Sequence, residues 1–242
     1  MLGKWDGGVV FIDLMAGPGI CVDRTDQSEF IGSPLLALNT KKAWTQIYLV
    51  ELDVQLRQAL EQRVAQQPRS NTVQIIAGDS NSAGVIARLR TASEGALAVA
   101  FVDLIGQEIA FDTIRQLTTG RSIDLWFSFP ELDLRRNATL APRDMDHAAR
   151  WTRFFGTEEW RPIVEQRRPR AALVELLKLY RRQLEALGYI TEVSKLPMKN
   201  SLGATMYRPL FASKNARGID FFHKSLLRDA GAPKPATLFD LG

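Results

Sequence analysis

An apolar run that closes on Asp13 and Leu14 is followed by a bend almost free of side chains, Ala16-Gly17-Pro18-Gly19. Glycine lets another molecule approach the main chain and takes backbone angles closed to other residues. Three further apolar runs also end in carboxylates. The run IYLVE closes on Glu51 with Leu52 after it, VQIIAG leads into Asp79 and Ser80, and AVAFVD closes on Asp103 with Leu104 after it. An acidic residue in the place of Glu51 accepts hydrogen bonds from both hydroxyls of a ribose, and one in the place of Asp79 can meet an adenine amino group. The chemistry suggested is recognition of a nucleoside-bearing ligand. Its candidate contacts are Asp13, Ala16, Gly17, Pro18, Gly19, Glu51, Leu52, Asp79, Ser80, Asp103 and Leu104. The same acidic residues also suit an ordinary duty, capping the helix that follows each strand.

These residues need a scaffold that carries them to one edge. The runs VVFIDL (9–14), IYLVEL (47–52), VQIIAG (73–78), LAVAFVDL (97–104) and IDLWFSF (123–129) are nearly continuous apolar stretches, as strands covered on both faces require. Between them SPLLALNTKKAW, DVQLRQALEQRVAQQ, SAGVIARLRTA and FDTIRQLTTG carry helical spacing, the first with Ser33 as its cap and Pro34 in its first turn. Repeated strand–helix units imply right-handed crossovers and a parallel, doubly wound α/β sheet. Ligands of such sheets bind beyond the carboxyl ends of the strands.

After Phe129 the rhythm changes. Residues 130–171 mix prolines, aromatics and charges without a clear strand, and read as an insertion or lid. Helical periodicity returns over 172–189, with Leu173, Leu176, Leu177, Tyr180, Leu184 and Leu187 on one face and Gly188 as the terminal cap. ITEVSKLPM and ATMYRPLFASK, joined by KNSLG, then predict an antiparallel hairpin. The whole chain, 1–242, is expected to be one domain.

Composition excludes several classes. No apolar run approaches the roughly 20 residues of a membrane span, and MLGKWDGGVV has no signal-peptide core. Cys21 is the single cysteine and His147 and His223 the only histidines, so no metal site is expected, and Cys21 has no neighbouring base to make it a nucleophile. A cytoplasmic location fits best. The net charge of +4 is concentrated: residues 131–182 hold 12 Arg or Lys against 8 Asp or Glu, while the remainder balances at 19 against 19. Such a segment attracts phosphate backbones or forms a solvated helical surface. Arg135, Arg136 and Asn137, just beyond the fifth strand, are candidate substrate contacts. Trp151, Phe154, Phe155 and Trp160 alternate with arginines in a way that suits stacking on bases. A small satellite core under the insertion is the favoured reading of the same aromatics.

Five parallel units followed by a helix and an antiparallel pair resemble the seven-stranded, Rossmann-like class I S-adenosyl-L-methionine (SAM) methyltransferases, whose last strand is inserted antiparallel. FIDLMAGPG resembles their first SAM-binding motif, with Asp13 as its acidic residue and Met15 in place of its first glycine. The wider series FIDLMAGPG, IGSPLLAL, YLVELD, AGDSN, AFVDLIG, IDLWFSFP, RRN and FFGTEEW is similar to the three-Cys-motif partner (TcmP) proteins, over residues 9 to about 220. That resemblance implies SAM as cofactor, a three-cysteine-motif protein as partner, and association with phage or mobile elements. It implies no substrate; a nucleic-acid acceptor is suggested by the arginines alone. Leu104 stands where a proline often follows the fourth-strand acid, and few residues precede the first strand, so a shortened helical cover over the ligand is expected. The chain lacks the Asn/Asp-Pro-Pro-aromatic tetrapeptide of amino-methylating enzymes. With DLIG in its place, Asp103 is a catalytic candidate for orienting the acceptor or the methionine part of SAM. Two other readings stand beside this one. A SAM-binding partner module without turnover fits DLIG, and a nicotinamide-dependent oxidoreductase fits Glu51 but not the antiparallel ending.

Overall fold

The computed structural model describes residues 7–23, 27–199 and 203–230, the side chains of residues 105 and 225–230 excepted. The protein is mixed α/β, with an eight-stranded central sheet and a separate two-stranded ribbon. The described residues group into two compact units, one formed by those up to 101 and from 217 onward, the other by those between 102 and 216.

In the first unit the chain runs β1 (Val9–Asp13), the ribbon β2 (Ile20–Val22) and β3 (Glu29–Ile31), α1 (Ser33–Leu38), β4 (Gln46–Glu51), α2 (Val54–Ala65), β5 (Val73–Ala77), α3 (Ala83–Ala92) and β6 (Leu97–Asp103), whose last two residues pass into the second unit. The strand order is β5-β4-β1-β6, and every pair is parallel. Asp13 lies level with Leu49 and Phe101, and Glu51 with Ala77. The carboxyl ends of β1, β4 and β5 therefore leave the sheet at one edge. The apolar runs are buried as their continuity requires: Ile12, Leu49, Ala98 and Ala100 are fully enclosed. Leu35 and Leu38 of α1 and Leu60 and Val64 of α2 join Ile47 and Leu49 in a core that reaches Ala16 of the bend. Full burial of each large side chain contributes about 2 kcal/mol.

Two local expectations need correction. The cap position of α1 is Gly32, which offers no side chain, and Ser33 is already helical. The helix also stops at Leu38, well before Trp44. Asn39 Nδ2 donates to the Leu35 carbonyl at 2.9 Å, and Thr40 Oγ1 donates to those of Ala37 and Lys42 at 3.0 and 2.8 Å. Short polar side chains thus compete for carbonyls at the end of the helix, that of Ala37 among them.

After the end of β6 the second unit runs through a 3-10 turn, Ile105–Gln107, α4 (Phe111–Thr118), β7 (Ile123–Phe129), α5 (Glu131–Asn137), α6 (Met145–Phe155), α7 (Trp160–Gln166), α8 (Pro169–Ala186), β8 (Ile190–Val193), β9 (Met198–Lys199) and β10 (Thr205–Ser213). A last helix, α9 (Ala216–Ala230), returns to the first unit. β10 lies between β7 and β8, antiparallel to both, and also pairs with the two-residue β9. The inserted antiparallel strand expected from the sequence is present. Of the KNSLG link, residues 200–202 lie outside the described residues, and Gly203 has φ +75°.

Residues 130–171, expected as an insertion or lid without a clear strand, are helical. They form α5, α6 and α7, and Trp151, Phe154, Phe155 and Trp160 are entirely buried. Tyr180 of α8 sits among the rings: Phe154 stacks on it at 5.2 Å, while Phe111, Phe127 and Phe129 meet it edge-on at 5.5, 5.6 and 5.7 Å. Rings so enclosed cannot stack on bases, and the satellite-core reading of these aromatics holds. The buried stripe of α8 is Leu176, Leu179, Tyr180 and Leu184, at spacings of three and four; Leu173, Leu177 and Leu187 lie at its margins, half-buried.

Candidate functional site

The bend after β1 is held by its neighbours rather than by its own side chains. Leu14 N–H donates to the Phe101 carbonyl at 3.2 Å and Ala16 N–H to that of Val50 at 2.9 Å. Asp13 is fully buried and its Oδ1 accepts the Met15 N–H at 3.2 Å. Ser80 Oγ, also buried, donates to the Leu14 carbonyl. From α2, Arg63 reaches the Pro18 carbonyl at 2.6 Å. Strand ends, a serine from the loop after β5 and an arginine therefore all fix the same few peptide units.

Glu51 is the centre of this arrangement. One carboxylate oxygen accepts the Gly17 N–H at 2.8 Å and the other the Asp53 N–H at 2.8 Å. The residue is only 9% exposed. Each oxygen keeps a second lone pair, since a carboxylate offers about four acceptor positions. Glu51 thus braces the glycine bend and retains acceptor capacity for hydroxyl groups. Gly17 adopts φ +64°, and a side chain added there would meet no atom within 4 Å. Gly19 has φ +82°, but its missing side chain makes room for Leu60 and Leu35. The bend is open at Gly17 and packed at Gly19. Next to it Leu52 is exposed, 65%, at the start of an apolar margin that continues with Val54 and Leu56. Asp79 is exposed and its Oδ1 closes a small turn, accepting from the main-chain and side-chain nitrogens of Asn81 at 2.8 and 2.9 Å. A bend with an open glycine, an acceptor carboxylate and an apolar flank can hold the ribose and base of a nucleoside.

The remaining candidates belong to the second unit. Leu104 is buried and Asp103 half-buried. The Asp103 charge acts on Tyr207 of β10: burial pushes the tyrosine phenol above its ordinary range, and the nearby carboxylate adds to that. Arg135 and Arg136 are exposed in the last turn of α5. Asn137 is turned back onto its own helix, its Nδ2 donating to the Asp133 carbonyl at 3.0 Å and to Asp133 Oδ1 at 2.9 Å. Arg208 of β10 pairs with Glu131.

Sequence reading missed three parts: the brace from Glu51 to Gly17, the Arg63 contact, and a contact from Gln107 Nε2 to Asp133 Oδ2 at 2.7 Å. Only the spacing of four between Asp133 and Asn137, one helical turn, carried a signal for the third.

No family model matches this sequence, and no curated protein matches it. Among solved structures, protein LPL1258 of Legionella pneumophila aligns with 93% of this chain and 85% of its own, at 14% identity and a TM-score of 0.50. The methyltransferase domain of bacterial CtHen1-C aligns over 85% of this chain and 89% of its own, at 14% identity and 0.47. M. jannaschii TYW2, solved in complex with AdoMet, aligns over 84% of this chain and 67% of its own, at 15% identity and 0.42. At these identities the likeness concerns the fold.

Proposed function

We propose that this chain is a SAM-dependent methyltransferase, working over its whole length as one methyltransferase-like domain. The observation that carries the reading is the pairing of Glu51 with Gly17: an acceptor carboxylate at the end of β4 fixed against an open, left-handed glycine at the end of β1. The residues present fit SAM. Glu51 has lone pairs for the ribose hydroxyls, Gly17 leaves the main chain bare, Leu52 supplies an apolar face for adenine, and Asp79 stands at the end of β5 as its polar partner. Asp13, Ser80 and Arg63 shape the bend, and Asp13 and Ser80 stay among the residues proposed to line the SAM site.

When bound, SAM supplies a methyl group already activated on a sulfonium, which passes in line to a nucleophile and leaves a thioether behind. The protein's task is then mainly alignment. Asp103 closes β6 and Leu104 follows it, and Asp103 is proposed to orient the acceptor or the methionine part of SAM. The arginine surplus of residues 131–182, with Arg135 and Arg136 exposed, favours a nucleic-acid acceptor. Membership of the three-Cys-motif partner group, with such a protein as partner, phage or mobile-element association and a cytoplasmic location, belongs to the same proposal. It is supported by the order of the motifs from FIDLMAGPG to FFGTEEW. A SAM-binding module without turnover is the second reading, favoured by DLIG in the place of a proline-rich tetrapeptide.

Isothermal calorimetry tests the cofactor. The intact protein is expected to bind SAM, and Glu51→Ala and Gly17→Val to abolish that binding while circular dichroism shows both variants folded. No heat of binding by the intact protein would remove the reading. Transfer of tritium from labelled SAM to any acceptor, lost in Asp103→Ala, excludes the non-catalytic module.

A further inference from the structure

Residues 131–182 carry 8 carboxylates and 12 cations, and the fold uses the two differently. Six of the carboxylates are taken up inside the second unit: Glu131 by Arg208, Asp133 by Gln107 and Asn137, Asp144 by His147, Glu158 by Arg161, Glu159 by Arg182 and Glu175 by Lys178. Eight of the cations, all arginine and all exposed, form no ion pair among the described residues.

The pairs that do form tie several cations into one surface. Arg161 Nη1 donates to the Pro142 carbonyl at 3.3 Å while its Nε donates to Glu158 Oε2 at 3.3 Å, which sets the start of α7 beside Arg143. The next residue, Glu159, pairs with Arg182 of α8 at 3.0 Å. Back along α8, Lys178 pairs with Glu175 at 2.9 Å. Glu175 also feels the charges of Arg167 and Arg182, and these, after the stronger pull of Lys178, hold its carboxyl below the usual carboxylate range. The belt from Arg143 to Arg167 thus sets five cations against three carboxylates. Arg168 and Arg170 extend it at the start of α8, whose first turn has no acidic residue.

The chemistry of this belt selects its partner. A guanidinium fork meets phosphate oxygens in pairs, and 11 of the 12 cations are arginine. Stacking is not on offer: Trp151, Phe154, Phe155 and Trp160 are fully enclosed, and the exposed large apolar residues described in this unit are aliphatic or methionine. Proteins that hold single strands rely on exposed aromatic platforms. Membrane surfaces require a continuous apolar face, whereas Met145 and Val174 stand singly on α6 and α8. An intact duplex requires neither, since its phosphates line the outside as two charged rows.

We infer that the belt running from Arg143 across α7 to the start of α8 is a docking surface for double-stranded nucleic acid, held through its phosphates without reading of the sequence. This rests on the nucleic-acid part of the reading above and gives that partner a form, a duplex. It concerns the second unit alone and assigns no residue to methyl transfer.

The test is fluorescence anisotropy of the full chain, without SAM, on a labelled DNA duplex of about 20 base pairs, which offers more phosphates than the belt can meet. The logarithm of the binding constant should fall linearly with that of the salt concentration, each phosphate contact adding about 0.9 to the slope. Arg143→Ala, Arg168→Ala and Arg170→Ala combined should reduce the slope by about 2–3 and weaken binding at about 0.1 M salt at least 10-fold. The melting temperature should stay within about 2 °C of the parent, because the three side chains are exposed and unpaired. Lysine at the same three positions keeps the charge and should keep the slope within about 1. Arg88→Ala, exposed on α3 of the first unit, should leave the affinity within about twofold. An RNA duplex of the same sequence should bind within about threefold of the DNA. A triple alanine variant that binds like the parent overturns the inference. So does tighter binding to one separated strand, or to vesicles containing phosphatidylserine, than to the duplex, and so does a strong preference for one duplex sequence. A chain that binds SAM but no duplex overturns this inference and leaves the cofactor reading intact, whereas one that binds duplex but not SAM overturns the cofactor reading alone.

Discussion

Gly17 and Gly19 share a left-handed backbone, at φ +64° and +82°, yet their surroundings assign them different duties. A methyl group at Gly17 meets nothing within 4 Å; at Gly19 it lies 3.1 Å from Leu60 Cδ1 and 3.4 Å from Leu35 Cγ. Gly17→Ala therefore costs only the backbone penalty, about 1–2 kcal/mol. Gly19→Ala carries that penalty and an overpacking term of about 1–3 kcal/mol. Urea denaturation of the two variants should rank Gly19→Ala as the less stable, while SAM binding should suffer more in Gly17→Ala. The reverse ranking would exchange their roles. Glu51 belongs to the same small assembly: its carboxylate braces the open glycine and also the start of α2 through Asp53.

The elements beyond β7 show what amphipathic helices do when their apolar faces meet each other. Phe154 of α6 contacts Tyr180 of α8, Phe129 of β7 and Phe155 of its own helix. Phe154→Ala should lower stability by about 3–5 kcal/mol in a urea titration. A mobile lid would show almost no loss. The segment looked irregular in sequence because Pro162 interrupts the period of α7 and because the buried residues are tryptophan and phenylalanine among arginines. The long strands were legible for the opposite reason: VVFID, QIYLVE and LAVAFVD are apolar along their length, and a sheet covered on both faces demands that. Three-residue strands such as β2 and β3 are too short to show any alternation. The bend and its neighbouring acids were readable as types, but the Glu51 contact with Gly17 spans 34 positions and depends on two strands lying in register. The Gln107 contact with Asp133 left only the spacing of Asp133 and Asn137 as a trace, since a pairing across 26 positions has no counterpart in local spacing.

At the scale of the molecule, the response to pH follows from groups the fold holds out of water. Burial pushes the Asp124 carboxyl on β7 above its ordinary value of 3.8, and a hydrogen bond from Ser213 opposes the shift only in part. The folded chain consequently holds this proton more tightly than the unfolded one. Well below pH 3.8 both states are protonated and Asp124 makes no difference; as the pH rises through the raised folded pKa, the unfolded state ionises first and stability is lost. Asp124→Asn should thus gain in melting temperature relative to the parent between about pH 4 and pH 7. A difference that stays flat over that range would show that the carboxyl titrates normally.

The placing of β10 between β7 and β8 has a further result, for the order of events during synthesis. Phe129 pairs with Arg208, and Leu210 with both Phe127 and Val193, so two strands must wait for a third that leaves the ribosome after them. Until that happens their edges offer bare N–H and carbonyl rows to any neighbouring chain. A nascent chain halted ahead of Thr205 would be open to aggregation by its own backbone, and the closing stretch Thr205–Ser213 acts as the latch that ends that exposure.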